Sequence, residues 1–204
     1  PLNAVLGFAQ LLEHEAEERQ LPQMTENIAE VLYAGRHLLE LINDILDLAK
    51  VESGKLLIEE EEFNLNDTID SLVSLFAVEI QEKGVELIVN IAPNIPTNLL
   101  GGQTRFWQVV MNLLGNAKKF TESGQIYLTL SLLKLENNTV DIQVSVKDTG
   151  IGIEEGSVDK IFESFEQAEI NTSRHYGGTG LGLTLCKKLV EMMGGKISVK
   201  SVLG

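Results

Sequence analysis

The sequence predicts an α+β protein in which an antiparallel helical hairpin precedes an α/β sandwich, with a mixed sheet covered on one face by helices. Three observations lead to this prediction. Residues 1–54 carry two helical apolar repeats, which are interrupted at Gln20, Leu21 and Pro22. After Gly54, strand-like and helix-like patterns follow one another. A strand hairpin lies in their middle, and this favours a mixed sheet over a fully parallel one.

Composition and charge narrow the class of protein. The chain has 204 residues, of which 44% are hydrophobic and 23% charged, as in an ordinary globular protein with a sizeable core. This length fits two units, predicted as 1–54 and 55–204. The formal net charge of -14 opposes binding to polyanions. We therefore expect no nucleic-acid partner.

The sequence also indicates where this segment resides. No apolar run approaches the roughly 20 residues that span a bilayer, and the N-terminus lacks the features of a signal peptide. The single cysteine, Cys186, cannot form an intrachain disulfide and suits a reducing compartment. We expect a cytoplasmic segment without membrane contact of its own, which a membrane anchor elsewhere in a longer chain would not contradict.

The hairpin consists of a first helix over 1–19 and a second helix that ends at Ser53 and Gly54. Two helices cannot enclose their own apolar stripes. Pairing with a second copy as a four-helix bundle buries both stripes most simply, so a homodimer is expected. Folding of the hairpin onto the rest of the same chain remains the alternative.

The second unit is predicted from its periodicity and its turn residues. Asn137 and Asn138 favour a tight turn between two of its strands. A glycine-containing stretch over 149–179 is long for a structureless connection, and such loops are usually lids or binding segments. The predicted elements are strand 55–63, helix 65–83, strand 85–91, helix 104–120, strands 125–136 and 139–148, helix 181–193 and strand 196–202.

Helix 104–120 carries a narrow polar stripe beside an apolar one. At 100° per residue, Arg105, Gln108, Asn112, Asn116 and Lys119 share one face. Amide oxygens there could bind magnesium and the lysine could contact phosphate. A solvated helix face explains the same pattern, and the helix alone favours that interpretation.

Two further patterns lie downstream. Asp148 has the same parity as the apolar residues of its strand, so its carboxylate should point toward the buried side and need a partner, such as a ligand amine. Gly150 and Gly152 follow it and would let the backbone approach that ligand closely. A second glycine-dense run leads into helix 181–193, whose exposed amides attract phosphate. Alone, such a glycine-rich turn is a weak signal.

Together and in this order, these patterns resemble the nucleotide-binding boxes of the histidine kinase ATPase family. The asparagine box is Asn112-Leu-Leu-Gly-Asn116-Ala-Lys-Lys119-Phe-Thr, and the two glycine boxes are Asp148-Thr-Gly-Ile-Gly-Ile and Gly178-Thr-Gly-Leu-Gly-Leu. The stretch at 160–165 looks like the phenylalanine box, and residues 1–54 are similar to the phosphoacceptor hairpin. The resemblance covers nearly the whole chain.

The resemblance implies a Bergerat-type ATP-binding fold and a sensor histidine kinase core, and leaves open whether it is of the hybrid kind. ATP and Mg²⁺ would be the cofactors, and a response-regulator receiver domain would be the partner. Asn112 and Asn116 would hold the metal, Lys119 would contact phosphate and Asp148 would read adenine. The glycine-box residues implied to bind the nucleotide are Gly150, Gly152, Gly178, Thr179, Gly180, Leu181 and Gly182.

The sequence departs from the family pattern in three respects. The phosphoacceptor histidine of the family precedes the proline that matches Pro1, and His14, His37 and His175 do not match its position. Gly102 stands where the family usually has an acidic residue. Lys118 replaces an apolar residue and is expected, like Trp107, to face solvent. These departures keep a second hypothesis open, a non-catalytic dimeric scaffold or regulator that retains the fold.

Overall fold

The structure is a computed structural model that describes residues 1–158, 160–163 and 180–203. The chain divides into two compact units, Pro1–Lys55 and Leu56–Gly204. None of the helices within the described residues is both long enough and apolar enough to cross a bilayer.

The first unit is a hairpin of α1 (Leu2–Glu18) and α2 (Pro22–Glu52). Gln20 has a left-handed φ of 56°, which reverses the chain in a three-residue connection. Pro22 opens α2, where its missing N–H breaks no helical hydrogen bond. The two helices bury only a short inner seam against each other. It consists of Ala9, Ala16, Ile28 and Leu32, with Leu6 packed beside it.

Large apolar side chains remain exposed along the outside of the hairpin. On α1 they include Val5, Phe8 and Leu12, which recur at helical spacing. On α2 they repeat every seven residues, at Met24, Val31, Leu38 and Ile45. A seven-residue apolar repeat is the pattern of helices that pack in bundles, so the hairpin has an apolar stripe that its own two helices leave uncovered.

The second unit combines strands and helices around one core. Asn64 caps its first helix, because the side-chain Oδ1 accepts a hydrogen bond of 3.2 Å from the N–H of Asp67. The elements are β1 (Glu61–Asn64), α3 (Leu65–Glu82), β2 (Val85–Ile91), β3 (Asn98–Gly101), α4 (Gln103–Phe120), β4 (Gly124–Glu136), β5 (Thr139–Asp148) and α5 (Gly182–Met192).

The main sheet is mixed, as predicted. Its strand order is β2-β4-β5, and β4 runs parallel to β2 and antiparallel to β5. Asn137 and Asn138 both have positive φ, 49° and 62°, which is the geometry of a two-residue hairpin turn. Ile126, Leu128 and Leu130 of β4 are fully buried in the core shared with α3 and α4. The alternate residues of β4 lie on the other face of the sheet.

Three strand predictions differ from the structure. The first strand begins at Glu61 instead of residue 55, and the short β3, which pairs antiparallel with β1, was missed. The predicted strand over 196–202 does not form within the described residues. Its alternation is present, because Ile197, Val199 and Ser201 are half-buried between exposed neighbours. Alternating burial reports which side chains face the protein, but it does not report backbone pairing.

Candidate nucleotide-binding site

The polar stripe predicted on α4 is present and internally hydrogen-bonded. Arg105 Nη1 donates to Gln108 Oε1 at 2.9 Å, and Asn116 Nδ2 donates to Asn112 Oδ1 at 3.1 Å. All four side chains are half-buried. The buried side of the helix is formed by Val109, Val110, Leu114 and Ala117. The stripe therefore lies at the margin of the core and is not a fully solvated face.

Asn112 lies against the beginning of α5. A Cβ at Gly182, the first residue of α5, would come within 2.3 Å of Asn112 Nδ2 and 2.8 Å of Asn112 Oδ1. Only a glycine allows this approach. The first backbone N–H groups of a helix have no intrahelical acceptor, and the helix dipole adds positive potential there. Two of the three predicted motifs thus meet, with amides on one side and an anion-attracting helix end on the other.

The third motif is a tight loop after β5. Asp148 Oδ1 accepts a hydrogen bond of 2.9 Å from the N–H of Gly150. A Cβ at Gly150 would lie 2.3 Å from the carbonyl oxygen of Phe120, at the end of α4, and Ile151 N–H donates to the same oxygen at 3.4 Å. The loop is thereby held against the C-terminal end of the helix that carries the asparagines.

The burial expected for Asp148 is wrong. Its parity matches that of the half-buried Val144 and Val146, but the residue is exposed. Sharing the parity of half-buried residues therefore does not by itself bury the Asp148 carboxylate. The reason is position: Asp148 is the last residue of an edge strand, where the glycine loop begins. Side-chain alternation sets the direction of a side chain but not what covers it.

Sequence reasoning missed two residues that fix this loop. Thr149 Oγ1 accepts from the N–H of Gln125 at 3.0 Å, and the N–H of Thr149 donates to the Gln125 carbonyl at 3.2 Å. Gly124 has a φ of 104°, and a Cβ there would lie 2.2 Å from Thr149 Oγ1. The Ser123-Gly124 dipeptide is a turn signal. Its pairing with Thr149 depends on tertiary structure alone.

Lys119 adds a half-buried cation to the stripe. Burial lowers the pKa of its ammonium below the ordinary value for lysine, because desolvation disfavours the charged form. Its Nζ lies 4.7 Å from the centre of the Phe120 ring. An anion bound beside this ammonium would gain more than at a fully hydrated lysine, because a partly dry environment strengthens the attraction.

Lys118 does not face solvent, so that prediction is wrong. Its ammonium pairs with Glu79 of α3 and lies 5.5 Å from the centre of the Phe76 ring. Lys83 donates to the carbonyl oxygen of Lys118 at 2.9 Å. Trp107 packs against the core cluster. The face of α4 opposite the site is thus covered by α3, which the period of α4 alone could not reveal.

Some predicted site residues lie outside the described residues. Gly178, Thr179 and most of the predicted lid over 149–179 belong to this group, as does His175. Of the other histidines, His14 lies 3.7 Å from a Glu18 carboxylate oxygen and His37 lies 3.9 Å from one of Glu40, in line with surface positions on the hairpin.

Comparison with known proteins identifies first the class of protein and then the family to which the chain belongs. Residues 101–204 match the family model described as "Histidine kinase-, DNA gyrase B-, and HSP90-like ATPase". Residues 1–54 match the model described as "His Kinase A (phospho-acceptor) domain". The chain therefore belongs to the histidine kinase family, and its second unit is an ATPase domain of the kind shared with gyrase and HSP90.

Individual proteins agree with this assignment. The chain is 42% identical over 201 residues to the signal transduction histidine-protein kinase BarA of Escherichia coli K12, covering 98% of this chain and 22% of BarA. It is 42% identical to the autoinducer 2 sensor kinase/phosphatase LuxQ of Vibrio vulnificus, covering 100% of this chain and 24% of LuxQ. The chain thus spans about a quarter or less of these relatives.

Solved structures support the fold along the whole chain. Full-length ShkA in complex with AMPPNP matches with a TM-score of 0.77 and 33% identity, covering 100% of this chain and 41% of ShkA. The Acinetobacter baumannii histidine kinase AdeS matches with a TM-score of 0.66 at 16% identity, which bears on the fold alone.

Proposed function

We propose that this chain is the kinase core of a two-component signalling protein. It binds magnesium-ATP, transfers the terminal phosphate to a histidine of the helical hairpin, and passes that phosphate to an aspartate of a response-regulator partner. The contact between Asn112 and Gly182 carries the proposal, because it joins the amide stripe of α4 to the N-terminal end of α5. An amide stripe beside a helix N-terminus suits a bound polyphosphate and its cation.

The two ends of the nucleotide are recognised by different parts of the site. The phosphates lie by the N-terminal turn of α5, and Lys119 contacts them. The Asp148 carboxylate accepts a hydrogen bond from the adenine amino group. Asn112 and Asn116 contact the metal and the phosphates. The glycine-box residues proposed to enclose the nucleotide are Gly150, Gly152, Gly178, Thr179, Gly180, Leu181 and Gly182.

The two asparagines fit a magnesium ion chemically. The NH₂ group of Asn116 donates a hydrogen bond to Asn112 Oδ1, and within the described residues the Oδ1 of Asn116 accepts no hydrogen bond. Amide oxygens are ligands that a hard cation accepts, alongside phosphate oxygens and water. When bound, magnesium neutralises phosphate charge. The described residues contain no group of three or more histidines, cysteines or acidic residues that could hold a metal ion.

This arrangement of side chains suits phosphoryl transfer. The transition state is loose and needs positioning and charge neutralisation more than a strong protein base. Asn116 and Lys119 provide a cation contact and a positive charge on one helix face. Residues 149–179 contain the proposed lid, whose closure over the nucleotide would exclude water and provide a point of control.

The hairpin is proposed to form a homodimer. Its inner seam leaves the stripe of Met24, Val31, Leu38 and Ile45 exposed, and the same stripe on a second copy would cover it in a four-helix bundle.

The departures at Gly102 and Lys118 do not favour the scaffold hypothesis. A Cβ at Gly102 would lie 2.5 Å from Ile58 Cγ2, so glycine fits its packing, and Lys118 contacts α3 away from the stripe.

The test uses two neighbouring residues of α4. Asn116→Ala should weaken magnesium-dependent ATP binding about tenfold, because it removes an oxygen ligand. Lys118→Ala should change the affinity by less than about twofold, because residue 118 lies about 200° around the helix from residue 116 and pairs with Glu79 of α3. ATP titrations with and without magnesium measure both. Transfer of labelled phosphate to histidine, in the protein with its phosphoacceptor, tests the reaction. A larger loss in Lys118→Ala would refute the site.

A further inference from the structure

The loop after β5, residues 148–153, is tied to the segment 195–203 by the side chain of Ser201. The N–H of Ile153 donates to Ser201 Oγ at 2.9 Å, across 48 positions of sequence. Both residues are half-buried. A buried backbone N–H needs an acceptor, and here a serine hydroxyl fills that role.

The backbone next to this bond is tightly packed. Gly152 has a left-handed φ of 74°, and a Cβ there would lie 2.1 Å from the carbonyl oxygen of Val202. The loop and the segment around Ser201 are therefore in direct contact, without room for even one methyl group. Residues 195–203 pair with no strand among those described. The hydrogen bond to the Ser201 hydroxyl therefore holds this segment where the backbone hydrogen bonds of a sheet would normally do so.

The opposite end of the loop is held by α4. The Phe120 carbonyl accepts from Ile151, and the Asp148 carboxylate accepts from Gly150. The six residues 148–153 are thus fixed between the end of α4 and Ser201, with Thr149 held by Gln125. The Asp148 carboxylate belongs to this fixed unit, whereas the N-terminal turn of α5 does not.

We propose that Ser201 is a positioning residue for adenine recognition, which acts by holding Ile153 and so fixing the loop that presents the Asp148 carboxylate. The inference rests on the proposed function, in which Asp148 binds the adenine amino group. Loss of the hydroxyl leaves a half-buried N–H without its acceptor and frees one end of the loop. The base contact then weakens, and the phosphate contacts at α5 remain.

The experiment compares ATP with inosine triphosphate, which carries a carbonyl in place of the amino group that Asp148 accepts from. Calorimetric titrations of the whole chain with both nucleotides would use the wild type, Ser201→Ala, Ser201→Thr and the control Val199→Ala. Val199 is half-buried on the same side of the segment, so its truncation reports general loosening. Thermal unfolding of each variant measures stability alongside.

Ser201→Ala should bind ATP about three- to tenfold more weakly, as expected for one lost hydrogen bond, while its affinity for inosine triphosphate is unchanged. Ser201→Thr, which keeps the hydroxyl, should retain the ATP affinity, and Val199→Ala should retain the preference for ATP. Equal losses for both nucleotides, or no loss for either, would overturn the inference. A wild type that fails to bind ATP would instead refute the proposed function.

Discussion

A single methyl group added at Gly182 tests whether the asparagine stripe and the start of α5 form one site. In Gly182→Ala, the new Cβ would lie 2.3 Å from Asn112 Nδ2 and 2.9 Å from its Cγ. Real Cβ atoms do not approach other heavy atoms so closely. The Asn112 amide must therefore rotate away or the helix must shift, and both disturb the groups proposed to hold phosphate and metal.

The size of the effect follows from what Asn112 loses. Its Oδ1 accepts the 3.1 Å hydrogen bond from Asn116, and such a bond contributes about 1 kcal/mol. A side chain forced off its rotamer costs about 1 kcal/mol more. If this total of about 2 kcal/mol falls on the bound state, ATP affinity drops about thirtyfold, and about fivefold if half of it does.

The chain offers a matched control in Gly115, one residue before Asn116 on α4. A Cβ there meets no atom within 4 Å, so Gly115→Ala adds the same methyl group without a clash. Alanine also has the higher helix propensity, and it should stabilise the helix by about 0.5–1 kcal/mol. ATP titration and thermal unfolding of both variants provide the comparison.

Gly182→Ala should lose about five- to thirtyfold in ATP affinity, and Gly115→Ala should lose none. If Gly182→Ala binds ATP as tightly as the wild type, the contact with Asn112 is irrelevant to the nucleotide and the reasoning fails. It also fails if Gly115→Ala is the more damaging change.

Three further predictions address other parts of the chain. Asp148→Asn should weaken ATP binding at least about tenfold in calorimetry without unfolding the loop, because an asparagine oxygen can still accept from Gly150; an unchanged affinity would contradict its role at adenine. The fragment 1–54 should sediment as a dimer and a fragment starting at Lys55 as a monomer; a dimeric second fragment would move the interface. ATP affinity should fall as pH rises through the lowered pKa of Lys119, earlier than for an ordinary lysine, and Lys119→Arg should abolish that dependence. The unliganded protein should become more stable over the same rise, because the unfolded chain there binds more protons at this lysine; a flat affinity profile in the wild type would argue against a phosphate contact.

The hairpin and the mixed sheet were predictable because their signals are local. Apolar periods of 3.6 and 2 residues identify helices and strands, and two asparagines identify the turn between β4 and β5. The prediction failed where a pattern does not carry pairing information. Residues 196–202 alternate in burial without joining the sheet, and β3 is only four residues long, too short to show a period.

The candidate site was predictable to the level of its motifs. The spacing of Asn112, Asn116 and Lys119 is fixed by the helical period, so the sequence alone put them on one face. It could not decide the surroundings of neighbouring residues. Lys118 looked solvated on α4, yet α3 covers it, and Asp148 looked buried, yet it lies exposed at the strand end.

The sequence by itself therefore determined the order and type of most elements and the histidine kinase family, because periodicity, turn chemistry and motif spacing are properties of neighbouring residues. Tertiary structure alone decided that Gly182 touches Asn112, that the Phe120 carbonyl holds the Asp148 loop, and that Ser201 secures its far end. These contacts join residues between 31 and 70 positions apart, and no local preference encodes a distance between such residues; only the packing of the whole core brings them together.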